Sequence, residues 1–274
     1  YPGYTLQMFS DSAARVLKEF VFTRPVTLSG GGMFPMGDDM KLMKGRIRFD
    51  ASAGRVRYPL LGTTLDLGRT KGEVLISPQW VVVDKMMGTI WDGTFTGRVL
   101  AQIDDGDALN GSFVLQDMNL TSIGKSYDKK MEKATVHGAI EFSSKGGNMN
   151  SIQAKGEAAL VHGDLVEIPL FGFLGEALSN YIPGLGHLIN YKISRADCDF
   201  SIEKGYVRTS NFAAQGSNMS LEGGGWIRLS DLQVNSDFKL GLRGFPGFIT
   251  SPVFLLAGGL FQVRGTGPLS NVSW

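Results

Sequence analysis

The chain has one cysteine in 274 residues, Cys198, so no internal disulfide framework can staple it. Its neighbours Ala196 and Phe200 alternate with charged residues, which predicts a buried strand cysteine. Histidine is almost as scarce. His137, His162 and His187 each stand alone, without the spacing of a zinc site, so no metal is expected. Neither sign of charge is in excess: 27 basic and 26 acidic residues leave +1, with no run of Lys or Arg, so nucleic acid is not an implied partner. At Tyr1 no basic segment precedes an apolar core, so no signal peptide is read there. Long apolar runs are missing too. The nearest, 245–263, is interrupted by Pro246, Gly247, Pro252, Gly258 and Gly259, whereas a membrane-spanning helix needs about 20 mainly apolar residues.

Catalytic patterns are equally thin. No G-x-S-x-G elbow is present. "NLTSIGKS" ends like a phosphate-binding loop, but Asn119 stands where the first glycine belongs, which makes Lys125 a loop lysine. "GLGHLI" at 184–189 has two of three dinucleotide glycines but follows a helical pattern instead of a strand. The carboxylates at Asp38–Asp39 and at Asp104, Asp105 and Asp107 lie in glycine-containing turns, and a calcium site would need about six oxygen ligands. Asn119, Asn218 and Asn271 open N-x-S/T triplets, which matter only in a secreted eukaryotic protein. The chain is expected to be no enzyme and to carry no cofactor.

What is abundant is glycine, 37 residues, about twice its usual share of ~7%. It is scattered between segments of strict alternation, as short strands and tight turns require. In "GRIRFDA", Ile47, Phe49 and Ala51 oppose Arg46, Arg48 and Asp50. Phe95, Val99, Ala101 and Ile103 do the same in the next segment, and "GSFVLQDMNL" supplies a return strand after a turn at 104–107. Further strands are read in "ATVHGAIEF" and "AKGEAALVHG". A late hairpin sets Leu232, Val234, Phe238, Leu240 and Leu242 against Gln233, Asn235, Asp237, Lys239 and Arg243. The expected fold is therefore mainly β, roughly 45% strand against an average of 20–25%.

Helical spacing appears in few places. Asp11–Val21 has Ala14, Leu17, Phe20 and Val21 on one side with Asp11 or Ser12 as cap. Residues 121–133 break the alternation as a short polar helix or lid. In "EIPLFGFLGEALSNYIPGLGHL" (167–188), Leu170, Leu174, Ala177 or Leu178, and Tyr181 or Ile182 share a face, and Pro183–Gly184 stops the helix. Leu174 and Leu178 are expected to be buried. A last short helix, Val253–Ala257, with Phe254 and Leu255, starts from Ser251–Pro252. No composition shift marks a domain boundary, so 1–274 reads as one region: an N-terminal helix (1–21), a repetitive strand-rich part (22–155) and a C-terminal module (156–274).

One ordered series of signals goes further. A glycine-led strand runs to "HGDL", then Ile168-Pro169-Leu170, a helix and an Ile-Pro-Gly-x-Gly exit. "ADCDFSIEKGYVRTSNF", "SLEGGGWIRLSD", "DFKLGLRG", an apolar helix and "FQVRGTGPLSNVSW" follow. This order resembles the C-terminal region of AsmA-like bacterial envelope proteins, the superfamily that includes TamB-type proteins. The resemblance covers 156–274 well and 22–103 more loosely, and none of its motifs is a catalytic signature.

The resemblance implies a periplasmic protein tethered to the inner membrane by an anchor outside these residues, the chain being a fragment or processed form. It also implies an elongated, curved antiparallel sheet forming an apolar groove, with two or three short amphipathic helices. Phospholipid or another acyl-chain lipid would be the partner, in phospholipid transport or outer-membrane assembly, with envelope proteins as further partners. Candidate groove or lid residues are Leu170, Phe171, Leu174, Leu178, Ile182, Phe238, Leu240, Leu242, Phe254 and Leu255. A two-faced sheet must cover its apolar face with a closed barrel, a second sheet or a bound lipid. The apolar helices could plug a groove, lie on a membrane or pack as core. The competing function is an envelope scaffold that binds proteins by pairing at a sheet edge.

Overall fold

The computed structural model describes residues 21–33, 44–60, 63–102, 108–126, 133–145, 151–161, 166–167, 192–217, 219–242, 260–268 and 272–273. About four fifths of these lie in strands, so the chain is mainly β, and every strand pair described is antiparallel. The chain divides into two compact units, 1–130 with 141–148, and 131–140 with 149–274. The division falls inside strand β9 (Thr135–Ser144), where the sequence has no shift in composition.

In the first unit, β5 (Thr63–Ile76) organises one end of the sheet. Its first half pairs with β4 (Arg55–Leu60) and its second with β3 (Lys44–Asp50). β1 (Val21–Phe22) lies outside β4, and β2 (Thr27–Met33) outside β3. The order then continues through β6 (Trp80–Ile90), β7 (Gly93–Gln102) and β8 (Leu109–Asn119). Among the described elements, every extensive contact between strands joins hydrogen-bonded neighbours, so no second described layer stacks on this sheet. The alternation in β3 survives: Ile47 and Phe49 are half-buried and Arg46 and Arg48 exposed. The N-terminal helix expected over 11–21 lies outside the described residues except at Val21, which is a strand residue in β1.

One helix is described, α1 (Leu120–Ser126), at the start of the polar stretch that breaks the alternation. Asn119 caps it, its side-chain oxygen accepting from the Thr121 amide at 2.9 Å. The helix closes over the tight turn between β6 and β7. There Trp91 and Asp92 both have positive φ (49° and 62°), the type I′ geometry that matches strand twist. Trp91 is unsuited to it, whereas aspartate tolerates it, and both are held: Trp91 Nε1 donates to Ser126 Oγ at 3.0 Å, and Ser122 Oγ donates to the Asp92 carboxylate. The helix thus caps one end of the sheet in this unit. Residues 168–188, with Leu170, Phe171, Leu174, Leu178 and Ile182, and the expected helix with Phe254 and Leu255 lie outside the described residues.

The second unit is a run of antiparallel strands: β10 (Gln153–Val161), β12 (Lys192–Glu203), β13 (Tyr206–Gly216), β14 (Met219–Arg228), β15 (Gln233–Leu242) and β16 (Leu260–Pro268). The short β11 (Val166–Glu167) pairs with the start of β12. Lys204 and Gly205, both at positive φ, join β12 to β13 by a two-residue turn.

The late hairpin forms as read, Trp226 opposite Asn235 and Leu221 opposite Leu240. Its turn corrects one assignment. Leu232 does not continue the inward set; it is 49% exposed at φ 55°. The turn is held by Arg228, which donates to both oxygens of Asp231 (2.8 and 2.6 Å), and this keeps the Asp231 carboxyl below the usual carboxylate range. Leu232→Gly is expected to raise the urea midpoint, because a left-handed conformation costs an L-residue roughly 1–2 kcal/mol that glycine avoids. An unchanged or lower midpoint would mean that the turn carries no such strain.

Glycine serves a packing role along both units. The ring of Phe49 lies across Gly72, that of Phe95 across Gly88, Phe113 across Gly97, Phe200 across Gly156 and Phe238 across Gly223, each pair directly in register on adjacent strands. Phe142 covers Gly111 and stacks on Phe113, with ring centroids 6.0 Å apart. A bare backbone lets each ring lie flat and shields the exposed peptide.

Candidate functional site

Strand pairing sorts the side chains onto two faces. In the first unit, Ile47 pairs with Val74, Val74 with Val83, and Val83 with Val99, which makes a continuous aliphatic row across β3, β5, β6 and β7. All four residues are half-buried. A second row beside it runs through Ile76, Val81, Ala101 and Leu109. Rows of this kind form because successive inward residues on each strand stand beside their partners on the next, about 5 Å away.

The opposite face is charged. Glu73 of β5 is buried, and three exposed cations surround it: Arg46 and Arg48 of β3 at 3.5 Å each, and Lys85 of β6 at 3.9 Å. Lys85 sits at positive φ where the β6 register shifts, so a bulge places its amine in this cluster. Arg98 and Asp84 pair beside it at 3.6 Å. The carboxylate ties three strands together on the wet side of the sheet.

In the second unit the apolar face holds Ala214 of β13, Leu221 of β14 and Leu240 of β15 in one row. Phe238 lies between Gly223 and the ring of Phe212, 5.6 Å away. The sequence places Phe238 and Leu240 among the groove candidates, and the structure does bring them together on one face. They are 6% and 1% exposed, however, and Leu221 is 0% exposed, so this part of the face is core. Leu242 ends β15, and its side chain lies outside the described residues. The open part of the apolar surface is the first unit's valine row.

The chemical singletons resolve plainly. Cys198 lies on β12 opposite Ala158, half-buried instead of fully buried. Burial pushes its thiol pKa up, with Asp199 and Asp197 adding to the effect, so it is a poor nucleophile at neutral pH. His137 is half-buried in β9. The Gly124-Lys125-Ser126 end of the phosphate-loop look-alike is the last turn of α1, the wrong end of a helix for a phosphate. Asn119 is engaged as the cap of that helix. Among the described residues no cluster of His, Cys, Asp or Glu could hold a metal ion, and no helix is long and apolar enough to cross a membrane.

No family model matches the chain, and neither a curated protein nor a solved structure does.

Proposed function

We propose that the chain is a non-enzymatic lipid-handling module that holds acyl chains against the apolar face of its sheet. The observation that carries this reading is the row Ile47–Val74–Val83–Val99, half-buried, in register across four strands, on a sheet with no second described layer. Burying each CH₂ of an acyl chain is worth about 0.8 kcal/mol, so a chain of some dozen carbons can offset its ordering cost without any head-group contact. Binding is then promiscuous among phospholipids. A setting in the bacterial envelope, with a role in phospholipid transport or outer-membrane assembly, rests on the resemblance of 156–274 to AsmA-like proteins.

The test is uptake of a fluorescent phospholipid from labelled vesicles, together with mass spectrometry of lipid that copurifies. Val83→Asp puts an unpaired carboxylate in the middle of the row, where burial of charge is costly. Because Val83 is only half-buried, the variant is expected to stay folded and lose uptake. Uptake equal to wild type, or a folded wild-type chain that takes up no lipid, would remove the lipid reading.

A further inference from the structure

The two outer borders of the described sheet strands are built differently. Along β16, Arg264 and Gln262 are exposed, and Thr266 exchanges both backbone hydrogen bonds with Ser273 (2.9 and 2.8 Å) before Pro268 ends the strand. Charge, proline and a covering segment are the usual ways of blunting an edge. β2, Thr27–Met33, has none of them among the described residues. It carries no charge and no proline, pairs with β3 alone among the described residues, and is exposed at all seven positions. Of the six large apolar residues that stand exposed among those described, three belong to β1 and β2: Val21 at 56%, Leu28 at 48% and Met33 at 62%.

A second observation points to what is missing. Both β2 and β14 contain three consecutive glycines with the same geometry. In β14, Cβ atoms built on Gly223 and Gly225 would run into β15, the first 2.8 Å from Phe238 Cα and the second 2.7 Å from Ser236 Cα. On the middle glycine, Gly224, a Cβ would instead meet β13, overlapping the Thr209 carbonyl and lying 2.8 Å from Ser210 Cα. In β2, Gly30 and Gly32 likewise face β3, their Cβ atoms 2.8 Å from Ile47 Cα and 2.6 Å from Gly45 Cα. The middle glycine, Gly31, faces the side where β14 has β13, and there it meets nothing within 4 Å.

We propose that β2 is a docking edge for an extended protein segment that pairs with it as β13 pairs with β14. This goes beyond the lipid reading and is independent of it. The partner's chemistry follows from β13. It is a strand with small hydroxyl residues opposite the central glycine, like Thr209 and Ser210, and an aromatic close behind, like Phe212. The hydroxyl residues permit close backbone approach at Gly31, and the aromatic covers the exposed Leu28 edge. Main-chain hydrogen bonds supply affinity and the aromatic supplies selectivity.

The experiment uses the full 274-residue chain and a fluorescein-labelled peptide copying Tyr206–Gly216, with binding read by anisotropy. Saturable binding is expected. It should weaken by about tenfold or more in Gly31→Lys, the size expected from losing one or two main-chain hydrogen bonds. Gly31→Lys has room for its side chain and should keep the wild-type circular dichroism and melting temperature. A peptide N-methylated at alternate amides tests the same contact without touching the protein and decides the matter if that variant does not fold. The Phe212→Ser peptide should also bind more weakly. Three outcomes would overturn the proposal: no saturation, equal binding by wild type and Gly31→Lys, or self-association of the unliganded chain that Gly31→Lys abolishes. The last would make a second copy the occupant.

Discussion

Placing aspartate at Leu240 is expected to unfold the second unit instead of merely emptying a ligand site. Leu240 is 1% exposed, its cross-strand partner Leu221 is 0% exposed, and Ala214 at 2% completes the row. Cutting such a leucine to alanine typically costs about 2–5 kcal/mol, made up of lost transfer energy and the cavity left behind. Aspartate at the same site adds the desolvation of a carboxylate that nothing in the row can bond. Total stabilities are about 5–15 kcal/mol, so the sum approaches the whole margin. Urea denaturation should show Leu240→Ala with a clearly lowered midpoint and Leu240→Asp with loss of the cooperative transition. If both variants melt like wild type, this face is open, and the groove would have to be placed in the second unit after all. In Val83→Asp, by contrast, the carboxylate retains access to water and only ligand binding should fail.

That contrast also marks what the sequence could and could not reveal. Period-two alternation identifies β3, β7 and β15 because each has one wet face, which leaves polar or charged residues at most alternate positions. Trp80–Val83 gives no such signal. Val81, Val82 and Val83 are all shielded to some degree, and Val82 is 3% exposed, so a strand with apolar residues on both faces looks the same in either phase. The valine row is a property of register between strands, which no single segment encodes. Phe238 and Leu240 stood out because they alternate cleanly, and clean alternation in a sheet marks the core at least as often as a binding surface. Leu232 was misplaced for a related reason: it keeps the parity of the strand but sits in a turn, where parity has no meaning.

The glycines were legible as an excess and not as pairs. Their number signalled turns, whereas several lie within strands beneath phenylalanine rings contributed by the neighbouring strand. A ring and its glycine stand far apart in the chain when the strands are joined by longer connections, as Phe200 and Gly156 do.

The same triple-glycine geometry yields a pair of opposite expectations for one chemical change. Gly224→Ala should destabilise the chain by about 1–3 kcal/mol or more, the usual cost of forcing atoms into a packed site. The reason is that the new methyl would overlap the Thr209 carbonyl and crowd Ser210 Cα. These are backbone atoms of β13, at the place where its register against β14 shifts, and they cannot swing aside as the end of a side chain could. Gly31→Ala adds the same methyl to the matching position of β2 and meets nothing within 4 Å. It should leave stability unchanged or raise it by about 0.4–1 kcal/mol, because alanine restricts the unfolded chain more than glycine does. Thermal unfolding of the two variants side by side is the check. Equal destabilisation would show that β2 already has a neighbour on its outer side, while equal tolerance would show that β13 does not press on Gly224. Only the split result, loss at Gly224 and none at Gly31, fits a strand pair whose third member is supplied in one unit by β13 and in the other by a partner.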